Sequence, residues 1–214
     1  KVKNIKKRRK KFDKLLTIKE KACIIIVNKF IKLLKEVKMP KIIENAREKI
    51  IDEAKRQIKE SGYENVTIRS IVRGCSLGLG TFYNYFKSKD MLIATFLLED
   101  WNERMTRVTL STENEADPHE VIKCICDEIA QFIDSNKNIF NAPEAKKSFN
   151  NTVGSYHKVL VSQLAAPIRK TCVLNGYENA EFLSLFIAES ALTWTVAGKA
   201  YSDLAPIFNK LLTK

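Results

Sequence analysis

Histidine, glycine and long apolar runs are all scarce in this 214-residue chain, which holds two histidines and seven glycines. Each scarcity excludes a class of function. His119 and His157 stand in no metal-ligand or triad spacing, and no Gly-rich loop of the kind that cradles phosphate occurs. Cys124 and Cys126 are two residues apart on an expected helix, hence on nearly opposite faces, and cannot share a metal ion. No catalytic residue, metal site or cofactor is therefore expected, and the chain does not read as an enzyme. Lys19, Lys21, Lys29, Lys32 and Lys35 interrupt every candidate window of the roughly twenty apolar residues that a bilayer span needs. The apolar run 22–27 is too short for a signal peptide and no small-residue cleavage site follows it. Five cysteines, an odd number without a secretion signal, fit reduced thiols in a cytoplasmic protein.

Charge is present in excess but lies in one place. Residues 1–38 carry 15 Lys and Arg against three acids, a net of +12, which equals the net charge of the whole chain. The remainder is neutral, mildly basic over 39–95 (ten against seven) and mildly acidic over 96–214 (twelve against fifteen). Three readings of the first segment stand side by side: a basic cluster at 6–11 that is disordered or binds polyanions, an amphipathic helix suited to an anionic membrane surface, or extra sequence upstream of a natural start at Met39-Pro40-Lys41. The last is preferred. The second supplies an alternative function for the whole chain, that of a membrane-surface-associated helical interaction protein.

The most informative stretch is Gly78-Leu79-Gly80-Thr81-Phe82-Tyr83-Asn84-Tyr85-Phe86-Lys87-Ser88-Lys89-Asp90. On a helical wheel Phe82 and Phe86 share one face with Leu79 beside them, the expected buried side. Opposite lie Gly80, Thr81 and Asn84, the last of a type that pairs bidentately with adenine. Tyr83 and Tyr85 flank this strip, within reach of phosphates on the groove walls. Upstream, Thr67 is placed to N-cap a short helix with Ile68, Ile71 and Val72 on its apolar face, and Cys75-Ser76-Leu77 makes the turn between the two helices. Cys75 reads as a small buried filler rather than a redox sensor. Ile43, Ala46, Ile50, Ala54 and Ile58 recur at intervals of three and four on a supporting helix that Gly62 ends, and Ser88 caps a fourth helix bearing Leu92, Phe96 and Leu97.

These residues resemble the TetR family of bacterial transcriptional regulators over about 42–98. The family pattern is met at Thr67, at Gly80 through Tyr83, and at Phe86, Lys89, Asp90 and Leu92. The chain departs from it at Ser76, where the turn usually has Gly, and at Gly78, where the reading helix usually has a capping Ser. Ser76 is expected to take a backbone conformation that Gly takes freely. The resemblance implies an all-α fold, with a helix-turn-helix DNA-binding domain (39–88) and an effector-binding and dimerisation domain (89–214) following the basic extension (1–38), which the charge count alone sets apart as extraneous or disordered. It implies double-stranded DNA, as a palindromic operator, a second copy of the chain and a small-molecule effector as partners, and repression as the common output. The expected DNA contacts are Thr67, Arg69, Gly80, Thr81, Tyr83, Asn84, Tyr85, Lys87 and Lys89.

Past residue 98 all elements read as helical. Asp117-Pro118-His119-Glu120 is a strong helix start, another lies at Ala142-Pro143-Glu144, and a helix over about 151–174 is expected to kink or break at Pro167. Residues 178–199 are apolar on two faces, one carrying Phe182, Leu185, Phe186, Leu192, Thr193 and Val196, so a partner subunit is the natural cover for one of them. With the last helix, expected over 203–212, the dimer interface is read as Phe182, Leu185, Phe186, Leu192, Val196, Leu204, Phe208 and Leu211. Trp101, Phe132, Phe149, Tyr156, His157 and Trp194 are candidate effector-pocket residues.

Overall fold

A computed structural model describes residues 45–213, the side chains of 146–156 excepted. The readings attached to 1–38, to Ile43, and to the side chains of Phe149 and Tyr156 lie outside the described residues. Among those described, every regular element is a helix: α1 (Ala46–Ser61), α2 (Ile68–Gly74), α3 (Leu79–Tyr85), α4 (Lys89–Ser111), α5 (Pro118–Ser135), α6 (Lys137–Phe140), α7 (Pro143–Asn175), α8 (Ala180–Val196) and α9 (Tyr201–Leu211). None is long and apolar enough to cross a membrane. The described chain divides into two compact units, one of residues 45–101 and 135–155, the other of 102–134 and 156–213. The first turns of α4, residues 89–101, thus cluster with the helices before them, and the compact units do not divide at the expected boundary after residue 88.

In the first unit α1 buries Ala46, Ile50, Ala54 and Ile58, the residues of the three-and-four repeat. Glu48 in its first turn and Lys59 in its last complement the helix dipole. Gly62, at φ +81°, ends it by donating its N–H to Ile58 O at 3.0 Å. The short α6 docks at this same end, where the side-chain amide of Asn138 donates to Lys59 O and adds a second bond to Ile58 O, each at 3.2 Å. Leu92, Ile93, Phe96, Leu97 and Trp101 of α4 are buried.

In the second unit α5 starts where Asp117 Oδ1 accepts from His119 N at 2.8 Å, and it buries Val121, Ile122, Ile125, Cys126 and Ile129. Helix α7 corrects the sequence-based expectation. It begins at Pro143 and runs unbroken for 33 residues through Pro167. A proline in a helix interior costs about 3 kcal/mol, but Leu164, Ala165, Ile168 and Cys172 are all fully buried around it. Packing on both sides of the proline holds the helix together where propensity alone breaks it. Gly176, at φ +78°, and Tyr177 then close the helix with N–H bonds to Val173 O and Cys172 O. Helices α8 and α9 are each offset by about two residues from their expected ends.

Three of the expected interface residues are corrected here. Leu192, Leu204 and Phe208 are buried within the chain itself, Phe208 to 1% exposure. A helix apolar on two sides does not reveal which side faces its own bundle. In α8 the inner side carries Ser184, Ile187, Ala188, Ala191, Leu192 and Thr195.

Candidate nucleic-acid interface

Local hydrogen bonds define the ends of the helix-turn-helix. Thr67 caps α2 reciprocally: Ser70 N donates to Thr67 Oγ1 and Thr67 N donates to Ser70 Oγ, both at 3.0 Å. The turn after α2 closes through Leu77 N to Val72 O at 2.7 Å and Ser76 N to Arg73 O at 3.1 Å. This pair of bonds requires a left-handed residue at Ser76, which stands at φ +56° as its sequence position implies. Helix α3 follows with Gly78 at its N-cap and no side-chain oxygen on its first N–H groups. A β-carbon at Gly78 or at Gly80 would meet nothing within 4 Å.

Phe82 and Phe86 anchor α3, both fully buried with ring centroids 5.8 Å apart. Leu79 departs from expectation at 40% exposure. It is the first residue of α3, ahead of the turn that Phe82 ties down, so the wheel places it correctly but nothing covers it. The outward strip matches the sequence pattern: Gly80 and Asn84 are exposed, Thr81 and Tyr85 half-buried, and Tyr83 is 55% exposed. Thr67, Arg69 and Lys87 are also exposed. Arg73 was absent from the expected contacts. It is exposed one turn after Arg69 on α2, and the spacing of four was the available signal.

Lys89 is the expected contact that the structure places elsewhere. Its ammonium donates to Tyr63 O at 3.2 Å and Val66 O at 3.1 Å and lies 4.0 Å from the centroid of the Tyr63 ring. The first turn of α4 draws it inward, beside a backbone N–H of Met91 that Ser88 Oγ accepts at 3.1 Å.

A polar relay joins α1 to α2. Gln57 Nε2 donates to Glu53 Oε1 at 2.7 Å and to Ser70 O at 3.1 Å, and Ser70 Oγ donates to Gln57 Oε1 at 2.6 Å. Hydrogen bonds from Arg56 and Gln57 pull the Glu53 carboxyl down to about 2. Cys75 donates its S–H to Lys49 O at 3.2 Å, and partial burial, followed by the nearby Glu53 charge, pushes its thiol pKa up, the direction opposite to that of a reactive thiolate.

The effector candidates fall in both units. Trp101 is buried in the first unit, whereas Phe132, His157 and Trp194 belong to the second, where Trp194 is exposed and His157 Nε2 meets Glu189 at 2.8 Å. On α8, Phe182 (72% exposed), Leu185, Phe186 (48% exposed) and Val196 form an outward apolar stripe, and Ile207 of α9 is exposed as well. Leu211 is half-buried. Among the described residues no group of three or more His, Cys, Asp and Glu could hold a metal ion.

Residues 50–95 match the family described as bacterial regulatory proteins, tetR family. An HTH-type transcriptional regulator of Staphylococcus aureus strain bovine RF122 / ET3-1 is 30% identical over 122 residues, 57% of this chain and 64% of that protein. Another, from Staphylococcus aureus strain USA300, is 26% identical over 126 residues, 59% of this chain and 66% of that protein. The matches thus span slightly less than two thirds of these relatives. Among solved structures, a TetR-family transcriptional regulator of Syntrophomonas wolfei superposes with a TM-score of 0.51 at 17% identity, covering 75% of this chain and 89% of that one. That likeness is one of fold.

Proposed function

We propose that residues 50–95, which match the bacterial regulatory proteins of the tetR family, are a DNA-binding helix-turn-helix domain, and that this chain is a transcriptional regulator acting as a ligand-responsive repressor. The observation that carries the reading is the division of α3 into two sides. Buried Phe82 and Phe86 hold one side down, while Gly80, Asn84 and Tyr83 stand in the open on the other. Gly80 lets the helix backbone approach the floor of a major groove, Asn84 offers an amide for an adenine edge, and Thr81 and Tyr83 reach the adjoining phosphates. Arg69, Arg73, Thr67 and Lys87 add polar groups for the backbone, which fix register without reading sequence.

The functional unit is a homodimer, and its operator a palindrome. Two reading helices reach successive major grooves only when about 34–36 Å separates them, and a second copy sets that spacing. The stripe of Phe182, Leu185, Phe186 and Val196 on α8, with Ile207 on α9, supports self-association through these helices. A small molecule bound in the second unit would alter the spacing and release DNA in the bacterial cytoplasm. The test is selection of bound duplexes from a random pool about 30 bp long, followed by light scattering of the free protein. Enrichment of an inverted repeat by a dimer is expected.

A further inference from the structure

Both ends of the helix-turn-helix meet at one pair of side chains. Val66 is the last residue before the Thr67 cap of α2, and Lys89 is the first residue of α4, so the segment between them holds α2, the turn and α3 in full. Across its two ends the Lys89 ammonium donates to Tyr63 O at 3.2 Å and to Val66 O at 3.1 Å. It also sits over the Tyr63 ring, 4.0 Å from the centroid. Next in sequence, Asp90 Oδ1 accepts the Tyr63 hydroxyl proton at 2.7 Å. Tyr63 and Val66 are both buried, so the carbonyls that Lys89 satisfies belong to a stretch with little access to water. Tyr63 O also accepts from Val66 N at 3.3 Å, so loss of the ammonium falls chiefly on Val66 O, and a cation held by two carbonyl dipoles and a π face is well compensated.

We infer that Lys89, with Tyr63, is a clamp that positions the reading helix, and that its charge is used inside the protein and not on a phosphate. The inference rests on the DNA-binding reading given above. Helix α3 is seven residues long and lacks a side-chain cap, so its tilt depends on what fixes the chain before and after it. Phe82 and Phe86 fix its inner face. The clamp fixes the distance between entry into α2 and exit from α3, and therefore how Asn84 and Tyr83 present themselves to base and phosphate. Loss of the clamp affects the geometry that distinguishes one sequence from another. Loss of a phosphate contact weakens binding to every sequence alike.

The test uses the full chain and two probes: the duplex that wild-type protein enriches from a random pool, and a scrambled duplex of the same length and composition. Lys89→Met keeps the aliphatic stem and removes the ammonium. It should lose at least about tenfold in affinity for the enriched duplex, hold the scrambled duplex within about twofold and leave the salt dependence unchanged. Lys89→Arg, which retains charge and donors, should recover most of the discrimination. Lys87→Met is the contrast, weakening both duplexes and lowering the slope of log affinity against log salt by about 0.9. A Lys89→Met protein that behaves like Lys87→Met overturns the inference, as does one that melts and discriminates like wild type. Should Lys89→Met fail to fold by circular dichroism, Tyr63→Leu decides: it leaves Lys89 charged but removes the ring beneath the ammonium and the Asp90 bond. Reduced discrimination supports the clamp, and unchanged discrimination overturns it. If wild-type protein enriches no duplex, the DNA reading itself has failed, an outcome distinct from any difference among the variants.

Discussion

The carboxylate of Glu53 on α1 occupies the place where a β-carbon on Gly74 of α2 would stand. Glu53 is not free to swing away, because Arg56 Nε donates to it at 2.9 Å and Gln57 Nε2 at 2.7 Å, and Gln57 in turn holds Ser70. Beside the Gln57–Ser70 bonds, α1 and α2 therefore meet through a carboxylate packed on bare backbone.

Gly74→Ala should consequently destabilise the protein by about 1–3 kcal/mol, the usual range for overpacking. Alanine by itself is a better helix former than glycine by roughly 1 kcal/mol. In a Glu53→Ala background the same substitution should change sign and stabilise. Chemical denaturation of the two single variants and the double variant measures the coupling; additive effects would show that Glu53 and Gly74 do not constrain each other.

The same carboxylate sets a pH response. Its pKa is held at about 2, below the unfolded carboxylate range, first by the hydrogen bonds from Arg56 and Gln57. A depressed carboxyl adds stability that is fully present above about pH 5 and is lost as pH falls through about 4 toward 2, where the unfolded chain binds the extra proton. Denaturation of wild type and Glu53→Gln across that window should show the stability difference shrinking as pH falls. A difference that stays constant would mean that Glu53 is not held as described.

Two departures from the family pattern should be correctable. Ser76→Gly removes a left-handed conformation at φ +56°, worth roughly 1 kcal/mol. Gly78→Ser, into open space at the N-cap of α3, adds a capping oxygen and lowers the entropy of the unfolded chain, together about 0.5–1 kcal/mol. Thermal melts should rise for both, with the enriched duplex still preferred.

Phe186→Glu and Phe208→Glu should part company. Phe186 is exposed on the stripe proposed for self-association, so its variant should be folded, monomeric and poor at operator binding. Phe208 is a core residue, and a charge there should unfold the second unit. Light scattering beside circular dichroism separates the two. A folded Phe186→Glu dimer with normal binding would place the interface elsewhere.

How much of this was legible in the chain depends on how far each residue type limits its own surroundings. Phe82 and Phe86, four apart amid polar residues, leave one side of α3 to bury, and Ser76 in a three-residue turn leaves one backbone geometry. Lys89 is different: a long side chain with three donors fits equally well on a phosphate or on two carbonyls, and its neighbours in sequence do not choose between them. The inward side of α8 was similarly undetermined, because Phe182 and Phe186 are as apolar as Ile187 and Leu192. Only the packed neighbours decide. Pro167 misled for the opposite reason, since its local cost is plain in the sequence, whereas the burial of Leu164, Ala165, Ile168 and Cys172 that offsets it appears only in the fold.

The central claim, that the open side of α3 reads bases, is tested most directly by titrating wild type and Asn84→Ala against the enriched and the scrambled duplex at one salt concentration. The account predicts a loss of about 1–3 kcal/mol on the enriched duplex and almost none on the scrambled one. Equal losses on both duplexes would contradict it.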